Sequence, residues 1–374
     1  MSSLRYPRSE AVFGAAERSD EAAHFGVPLA EQRALAQGRA VADLSSLRVL
    51  QLTGADRLSW LSSLTTQKLD GLEPGQSTET LVLSPTGHIE SWLRIVAAAD
   101  RLWLISELDA DAVRDFLERM KFMLRVELAD VSADYQCVGT VGPAPESLPV
   151  AAQWDDPWPA IGEGSASYAL IDLGMPTASP EHPGDGLDFR IAICPRAALA
   201  DWDPQAAGVR VAGRDAWEAL RIEAWRPGGA EVDHKALVGE LDVLRTAVHL
   251  AKGCYRGQEA VARVHNLGQV PRRLVFLHLD GSGHSLPEAG AEVFGEVRGA
   301  QRPVGTVTSA ALHHELGPVA LALVKRSLEP QAPLTVAGDG DERIAAAQEV
   351  IVAPQRENRT GLPGRNRETD HRRG

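Results

Sequence analysis

The C-terminal part of the chain alternates short apolar runs with glycine-containing turns, and this pattern constrains the fold more than any other feature. Apolar runs of this length, bounded by turn residues, predict β-strands. A series of strands without intervening helices buries its apolar face by closing into a barrel or by stacking as a sandwich. We therefore expect a small β-barrel over residues 272–353. Its strands are predicted at 274–279, 291–297, 303–308, 319–324 and 334–336.

The residues before 272 mix strand and helix patterns. Residues 48–53 alternate polar and apolar side chains, as a strand does, and an amphipathic segment follows after the turn Gly54-Ala55-Asp56. A second amphipathic helix is predicted over residues 109–120, with Asp109 as its N-cap. Because the two patterns follow no regular βαβ repeat, the fold class is predicted to be α+β.

Two stretches dense in proline, glycine and serine, residues 142–166 and 174–186, mark loops or a domain junction around a short strand candidate at 168–173. We expect a three-part body in which two α+β modules surround a central opening and the barrel forms a cap. The predicted parts are an N-terminal extension (1–39), a first α+β module (40–130), a second α+β module (131–271), the barrel (272–353) and a disordered tail (354–374).

The charge balance limits the classes of partner. Lysine and arginine number 38 against 51 aspartate and glutamate, which gives a formal net charge of −13. An acidic surface repels phosphate backbones, so we expect no direct nucleic-acid binding. No apolar run approaches the roughly 20 residues that span a bilayer, and residues 1–21 lack the apolar core of a secretory signal. The sequence therefore predicts a cytoplasmic protein without a membrane partner.

The three cysteines are Cys137, Cys194 and Cys254, an odd number without paired spacing. This arrangement argues against a disulfide framework. No Cys-x-x-Cys pair or cysteine-histidine cluster offers the ligands of a zinc or iron-sulfur site, so no metal is expected. Cys137 and Cys194 lie in strand-like contexts that suit a buried thiol.

Cys254 has a different context, because it lies in the segment Lys252-Gly253-Cys254-Tyr255-Arg256-Gly257-Gln258-Glu259 ahead of a predicted helix. Nearby cations and helix amide dipoles both favour a thiolate. Cys254, with Lys252 beside it, is thus the candidate catalytic group. The alternative is an inert, buried small residue, the usual fate of a free cysteine.

A second candidate lies on the helix predicted over residues 215–226. Trp217 and Arg221 are four residues apart and share a face. An indole stacks on a flat ring, and a guanidinium binds carboxylates, so this pair suits a ligand with both groups. The alternative is a core tryptophan beside an ordinary salt-bridged arginine.

The cysteine segment, this helix and the β-rich end together resemble the YgfZ family, which is related to the aminomethyltransferase (T-protein) of the glycine cleavage system. The match is strongest over residues 252–259 and looser over 40–340, for example at Gly305-Thr306-Val307-Thr308-Ser309. The resemblance implies a GcvT/YgfZ-like fold and binding of tetrahydrofolate, with Trp217 and Arg221 as binding residues. It also implies a role in the assembly or maintenance of iron-sulfur enzymes, for which Cys254 is required. The implied protein partners are those enzymes or cluster-assembly proteins.

The sequence departs from these relatives at two informative places. Where the aminomethyltransferases carry paired aspartates on the strand after the turn glycine, this chain has Ser91-Trp92. One of the two tryptophans of a YgfZ-like folate site falls on Trp217, but the other falls near Leu47. Three functions therefore remain open: a folate-binding accessory protein, a tetrahydrofolate-dependent one-carbon transferase, and a binding module that has lost its ligand.

Overall fold

The computed structural model describes residues 2–6, 11–13, 21–169, 182–267, 270–283 and 285–354. Its strands are β1 (Val12–Phe13), β2 (Ala22–His24), β3 (Ala40–Leu44), β4 (Arg48–Thr53), β5 (Ser77–Leu83), β6 (Ile89–Ala97), β7 (Arg101–Ser106), β8 (Glu127–Asp130), β9 (Tyr135–Val141), β10 (Ala152–Asp155), β11 (Phe189–Pro195), β12 (Arg210–Ala212), β13 (Arg272–Leu279), β14 (Glu292–Val297), β15 (Ala300–His313), β16 (Gly317–Lys325), β17 (Leu334–Ala337) and β18 (Arg343–Val350). Its helices are α1 (Pro28–Ala36), α2 (Arg57–Leu64), α3 (Ala110–Met120), α4 (Arg196–Asp201), α5 (Arg214–Glu223), α6 (Leu244–Ala247) and α7 (Gln258–Leu267). Of the strand candidate at 168–173, only residues 168 and 169 are described, and the predicted tail lies outside the described residues from residue 355 onward.

The first sheet is antiparallel throughout, in the order β5-β6-β7-β4-β8. Successive residues of β6 point to opposite faces, so Leu93 and Ile95 enter the core formed with α2 and α3. Trp92 lies in a different core, on the side of the second module and the barrel. The predicted N-cap of α3 is confirmed, because the Asp109 carboxylate accepts hydrogen bonds from two backbone N–H groups of the first turn. The first sheet is therefore covered on both faces.

The second sheet has the order β10-β11-β9-β3-β12, in which β3 and β12 are parallel and the other pairs antiparallel. β3 belongs to this sheet, although the sequence-based division assigns residues 40–44 to the first module. Helix α5 packs on the sheet through Trp217 and Leu220. The carbon atoms of the Trp217 ring lie so close to Gly139 that a Cβ there would meet them at 2.6 Å.

The predicted α+β fold with a C-terminal barrel is confirmed. The barrel closes in the order β13-β16-β15-β14-β17-β18, with β18 returning to β13. The sequence pattern did not indicate β18, because its alanine-rich sequence has only two buried residues, Ile344 and Val350. Its place is fixed by ladders to β13 and β17 rather than by its own apolar pattern.

Helix α5 ends at Glu223, three residues before the predicted end. The backbone reverses at Trp225, which has a φ of 53°, and turns the Arg226 side chain into the protein. The junction between the modules, where the sequence predicted an opening, holds the buried side chains of Trp92, Trp158, Trp225 and Arg226.

We predict that Gly139→Ala destabilises the protein by about 1–3 kcal/mol, the range typical of overpacking, because the new methyl group must displace the Trp217 ring. Urea denaturation measures this loss. Gly186→Ala is the matched control, since a Cβ at Gly186 meets no atom within 4 Å. Equal midpoints for both variants would contradict the tight packing of α5 on the second sheet.

Candidate functional site

Cys254 lies on the loop between α6 and α7 and is exposed, whereas Cys137 and Cys194 are buried. Burial raises the pKa of Cys194 to about 12 and raises that of Cys137 further above its usual value. Because the thiolate is the nucleophilic form, the two buried thiols are inert at neutral pH. The prediction that only Cys254 is accessible is confirmed.

Lys252 fastens the Cys254 loop to the C-terminal end of α2. Its Nζ atom donates hydrogen bonds to the backbone carbonyls of Ser62, Thr65 (2.6 Å) and Gln67 (2.9 Å). Burial lowers the pKa of Lys252 to about 8, and the charge of Asp70 opposes this effect. An ammonium has three N–H donors, and all three are used here. The structure therefore gives Lys252 an anchoring contact, while a direct part in chemistry stays a prediction.

Arg256, the second cation of the segment, is also engaged elsewhere. Its guanidinium donates to the Glu90 carboxylate at 2.8 and 3.2 Å and lies 5.4 Å from the ring centre of Phe116. Helix α7 starts at Gln258, four residues after Cys254. The hydrogen bonds of both cations thus run to the first module and attach the loop to it.

Two glycines allow the loop and α7 to approach the first sheet closely. Gly257 has a φ of 84°, and a Cβ there would lie 2.6 Å from the carbonyl oxygen of Ser84. Gly87, in the turn between β5 and β6, faces Ala260 in the same manner, at 2.7 Å. Both positions require the absence of a side chain, which explains why the motif contains Gly257.

An open cleft of about 530 Å³ adjoins Cys254. Serine, lysine and aspartate side chains form much of its lining, and the Ser62 hydroxyl donates a hydrogen bond to the Asp70 carboxylate at 3.1 Å. The lining residues are Ser59, Ser62, Ser63, Lys68, Asp70 and residues 251–254. A thiol in such a cleft is open to small electrophiles, disulfides or a group carried by another protein.

Trp217 and Arg221 share one face of α5, as expected, but both are buried. Trp217 is 4% exposed and meets Phe189 edge-on, with ring centres 4.9 Å apart. Arg221 donates to the Glu218 and Glu231 carboxylates at 2.7 and 2.9 Å. It also donates to Ser309 of the barrel at 3.1 Å. As placed, the pair links α5 to the second sheet and the barrel, and its role in ligand binding stays a prediction.

Trp92, with Ser91, stands where the resemblance to the aminomethyltransferases leads us to expect paired aspartates. Its ring is fully buried, and its Nε1–H donates to Glu79 Oε2 at 2.9 Å. The same oxygen accepts from Arg226 at 2.7 Å. Arg226 also donates to Asp156 at 2.9 Å. Burial raises the pKa of Asp156. At Glu79 burial also raises the pKa, but the charge and hydrogen bond of Arg226, together with Thr246 and Arg94, outweigh it and lower the pKa overall.

Sequence reasoning missed this buried network because its members come from separate segments and carry no local motif. His182 is a further missed residue, 1% exposed and set edge-on to Trp158 and Trp225 at 5.5 and 5.6 Å. Burial, with a smaller contribution from Arg245, lowers the pKa of His182 to about 3. A histidine with this pKa is neutral at physiological pH.

Within the described ranges, no three histidine, cysteine, aspartate or glutamate side chains are grouped as metal ligands would be. In the same part of the chain, no helix is both long and apolar enough to cross a membrane.

Comparison with known proteins gives matches at both ends of the chain. Residues 5–155 match the family model of the GCVT N-terminal domain, and residues 272–352 match that of the glycine cleavage T-protein C-terminal barrel domain. An aminomethyltransferase structure from Bartonella henselae superposes with a TM-score of 0.68 at 19% identity, covering 93% of this chain and 94% of that one. The fold is therefore that of the aminomethyltransferases.

Relatives of low identity carry different names. A chloroplastic protein of Arabidopsis thaliana, named as a transferase, is 28% identical over 255 residues, 65% of this chain but only 56% of that protein's length. An aminomethyltransferase of a Nostoc species is 27% identical over 80% of each chain. The tRNA-modifying protein YgfZ of Yersinia pseudotuberculosis is 25% identical over 76% of this chain and 85% of its own. With family models matched over residues 5–155 and 272–352, and relatives of both kinds, the chain belongs to the glycine cleavage T-protein (GcvT/YgfZ) superfamily.

Proposed function

We propose that this chain is a folate-binding accessory protein of the YgfZ type, acting in the cytoplasm to support the assembly or maintenance of iron-sulfur enzymes through Cys254. The observation that carries the proposal is the presentation of Cys254. Its thiol is exposed beside a polar cleft, on a loop that Lys252 and Arg256 fasten to the first module. A fixed, accessible thiol suits repeated exchange with a partner or a small molecule.

The geometry at Trp92 favours an accessory role over one-carbon transfer. Handling a proton at a folate-bound carbon requires an acid or base within hydrogen-bond reach. The Trp92 indole does not titrate near neutral pH, and its N–H is already bonded to Glu79. Glu79 is itself held ionised by Arg226 and enclosed, so it offers no free carboxylate in place of the missing aspartates.

Folate binding rests on the resemblance to YgfZ proteins and on the superfamily. The proposed contacts are stacking of the folate ring on Trp217 and pairing of its glutamate with Arg221. Since Phe189 and Gly139 now cover Trp217, a ligand must displace the Phe189 contact to reach the ring. A binding module that has lost its ligand would leave this contact intact under all conditions.

We predict that iodoacetamide labels Cys254 at least tenfold faster than Cys137 or Cys194, because only Cys254 is exposed. Mass spectrometry of the labelled peptides at intervals across pH 5–9 gives the three rates separately. Cys254→Ser is the control and should leave the native protein almost unlabelled. Faster labelling of either buried cysteine would refute the assignment of the reactive thiol.

We predict that Cys254→Ser fails to restore iron-sulfur enzyme activity in a bacterial strain that lacks its own YgfZ, giving below a tenth of the wild-type gain. Cys194→Ala is the matched control, since it removes a thiol that burial makes inert, and it should restore activity. Immunoblots check that the wild type and both variants are present in equal amounts. Full restoration by Cys254→Ser would overturn the proposed function.

We predict that Trp217→Phe weakens tetrahydrofolate binding at least threefold, because base-aromatic stacking is worth roughly 1–3 kcal/mol in nucleic-acid sites and a smaller ring keeps only part of it. Anaerobic calorimetry measures the affinity. Phe189→Leu, which removes the ring that a ligand must displace, should leave the affinity unchanged or raise it. Equal affinities of the wild type and Trp217→Phe would show that folate does not bind at Trp217. If the wild type does not bind tetrahydrofolate, the folate-binding part of the proposal is wrong.

A further inference from the structure

The segment that follows α3 exposes four large apolar side chains within five residues. Phe122 is 88% exposed and Met123 85%, and the flanking Met120 and Leu124 are 45% and 43% exposed. We call residues 119–125 the Phe122 tip. Soluble proteins rarely expose a contiguous group of this kind unless another molecule covers it.

The Phe122 tip is fastened at both ends. At its start, Trp60 Nε1–H donates to the Met120 carbonyl at 3.2 Å. At its end, Arg125 makes a backbone and a bidentate side-chain bond to Asp56, at 2.8–3.1 Å. The exposed side chains between these points therefore project from a fixed base.

The Phe122 tip shares a surface with the Cys254 cleft. Arg256, two residues after the cysteine, stacks on Phe116, which lies one helical turn before Met120. The other connection is α2, since Trp60 bonds to the tip and its neighbours Ser59 and Ser63 line the cleft. The tip and the cleft are thus attached to the same two elements, α2 and the Cys254 loop.

The charge around the Phe122 tip indicates whether a second copy of this chain or a different protein covers it. Three cations, Arg119, Lys121 and Arg125, surround the apolar group, and two of them pair with Glu118 and Asp56. The local excess is one positive charge on a chain whose net charge is −13. Two copies joined tip to tip would bring these cations together, which like-charge repulsion disfavours.

We infer that the Phe122 tip is the docking surface for a partner protein that presents an apolar pocket with an acidic rim and places its reacting group at the Cys254 cleft. This inference rests on the proposed function. Aromatic and methionine side chains in a fixed arrangement are typical anchors of such an interface, and the rim charges set its specificity.

The test places a photo-crosslinking benzoylphenylalanine at Met123 in the full chain, in cells, with the same group at exposed Leu286 of the barrel as control. We expect a crosslinked protein adduct from position 123 and none from position 286. Combining Arg119→Glu with Lys121→Glu should reduce the yield of that adduct at least fivefold. The captured partner, once purified, should bind the wild type at least tenfold more tightly than Phe122→Ser/Met123→Ser. Its binding should also weaken with added salt. Adducts with lipid or with a second copy, no adduct, or equal binding of the variant would overturn the docking surface.

The same double variant separates this inference from the proposed function. Because Phe122 and Met123 are exposed, we expect it to keep the wild-type thermal midpoint and the Cys254 alkylation rate while losing iron-sulfur enzyme activity in the deletion strain. Full activity with the double variant but none with Cys254→Ser would refute docking and leave the function standing. Full activity with Cys254→Ser would remove the function itself.

Discussion

The ammonium of Lys252, surrounded by three backbone carbonyls at the end of α2, is the interaction on which the candidate site depends. Carbonyls at a helix C-terminus carry partial negative charge and lack partners within the helix. Lys252 donates to one carbonyl in the last turn of α2, that of Ser62, and to those of Thr65 and Gln67 just beyond the helix. Arg256 then donates to the Glu90 carboxylate, and Gly257 lies against the Ser84 carbonyl, so both attach the loop to the first sheet. Cys254 lies between these attachments and is exposed to solvent.

The buried Arg226 network has the complementary effect on the centre of the protein. It joins β5, the end of β10 and the turn after α5 through the carboxylates of Glu79 and Asp156. Removing one partner of such a network leaves a buried charge uncompensated, which costs about 3–5 kcal/mol. Trp92 is held in the same network, because its Nε1–H donates to Glu79.

Local patterns predicted the parts of the fold that local physics decides. Alternation indicated the barrel strands, and Asp109 marked the start of α3 because its carboxylate caps the first turn. The pattern failed where contacts between distant residues determine the structure. β18 has few apolar residues to mark it as a strand. Helix α5 ends early because the backbone reverses at Trp225 and Arg226 pairs with distant carboxylates. At the site, the motif identified Cys254. The acceptors of Lys252, about 190 residues away in sequence, could not be read from the motif.

The central claim is that Lys252 holds the Cys254 loop in place through its three carbonyl hydrogen bonds. Hydrogen exchange of the loop amides over residues 251–257, compared between wild type and Lys252→Met, tests it most directly. Loss of the three carbonyl bonds should speed exchange in the loop at least tenfold and leave the barrel unchanged. Identical exchange in the two proteins would contradict the claim, because the loop would then be held without the Lys252 anchor.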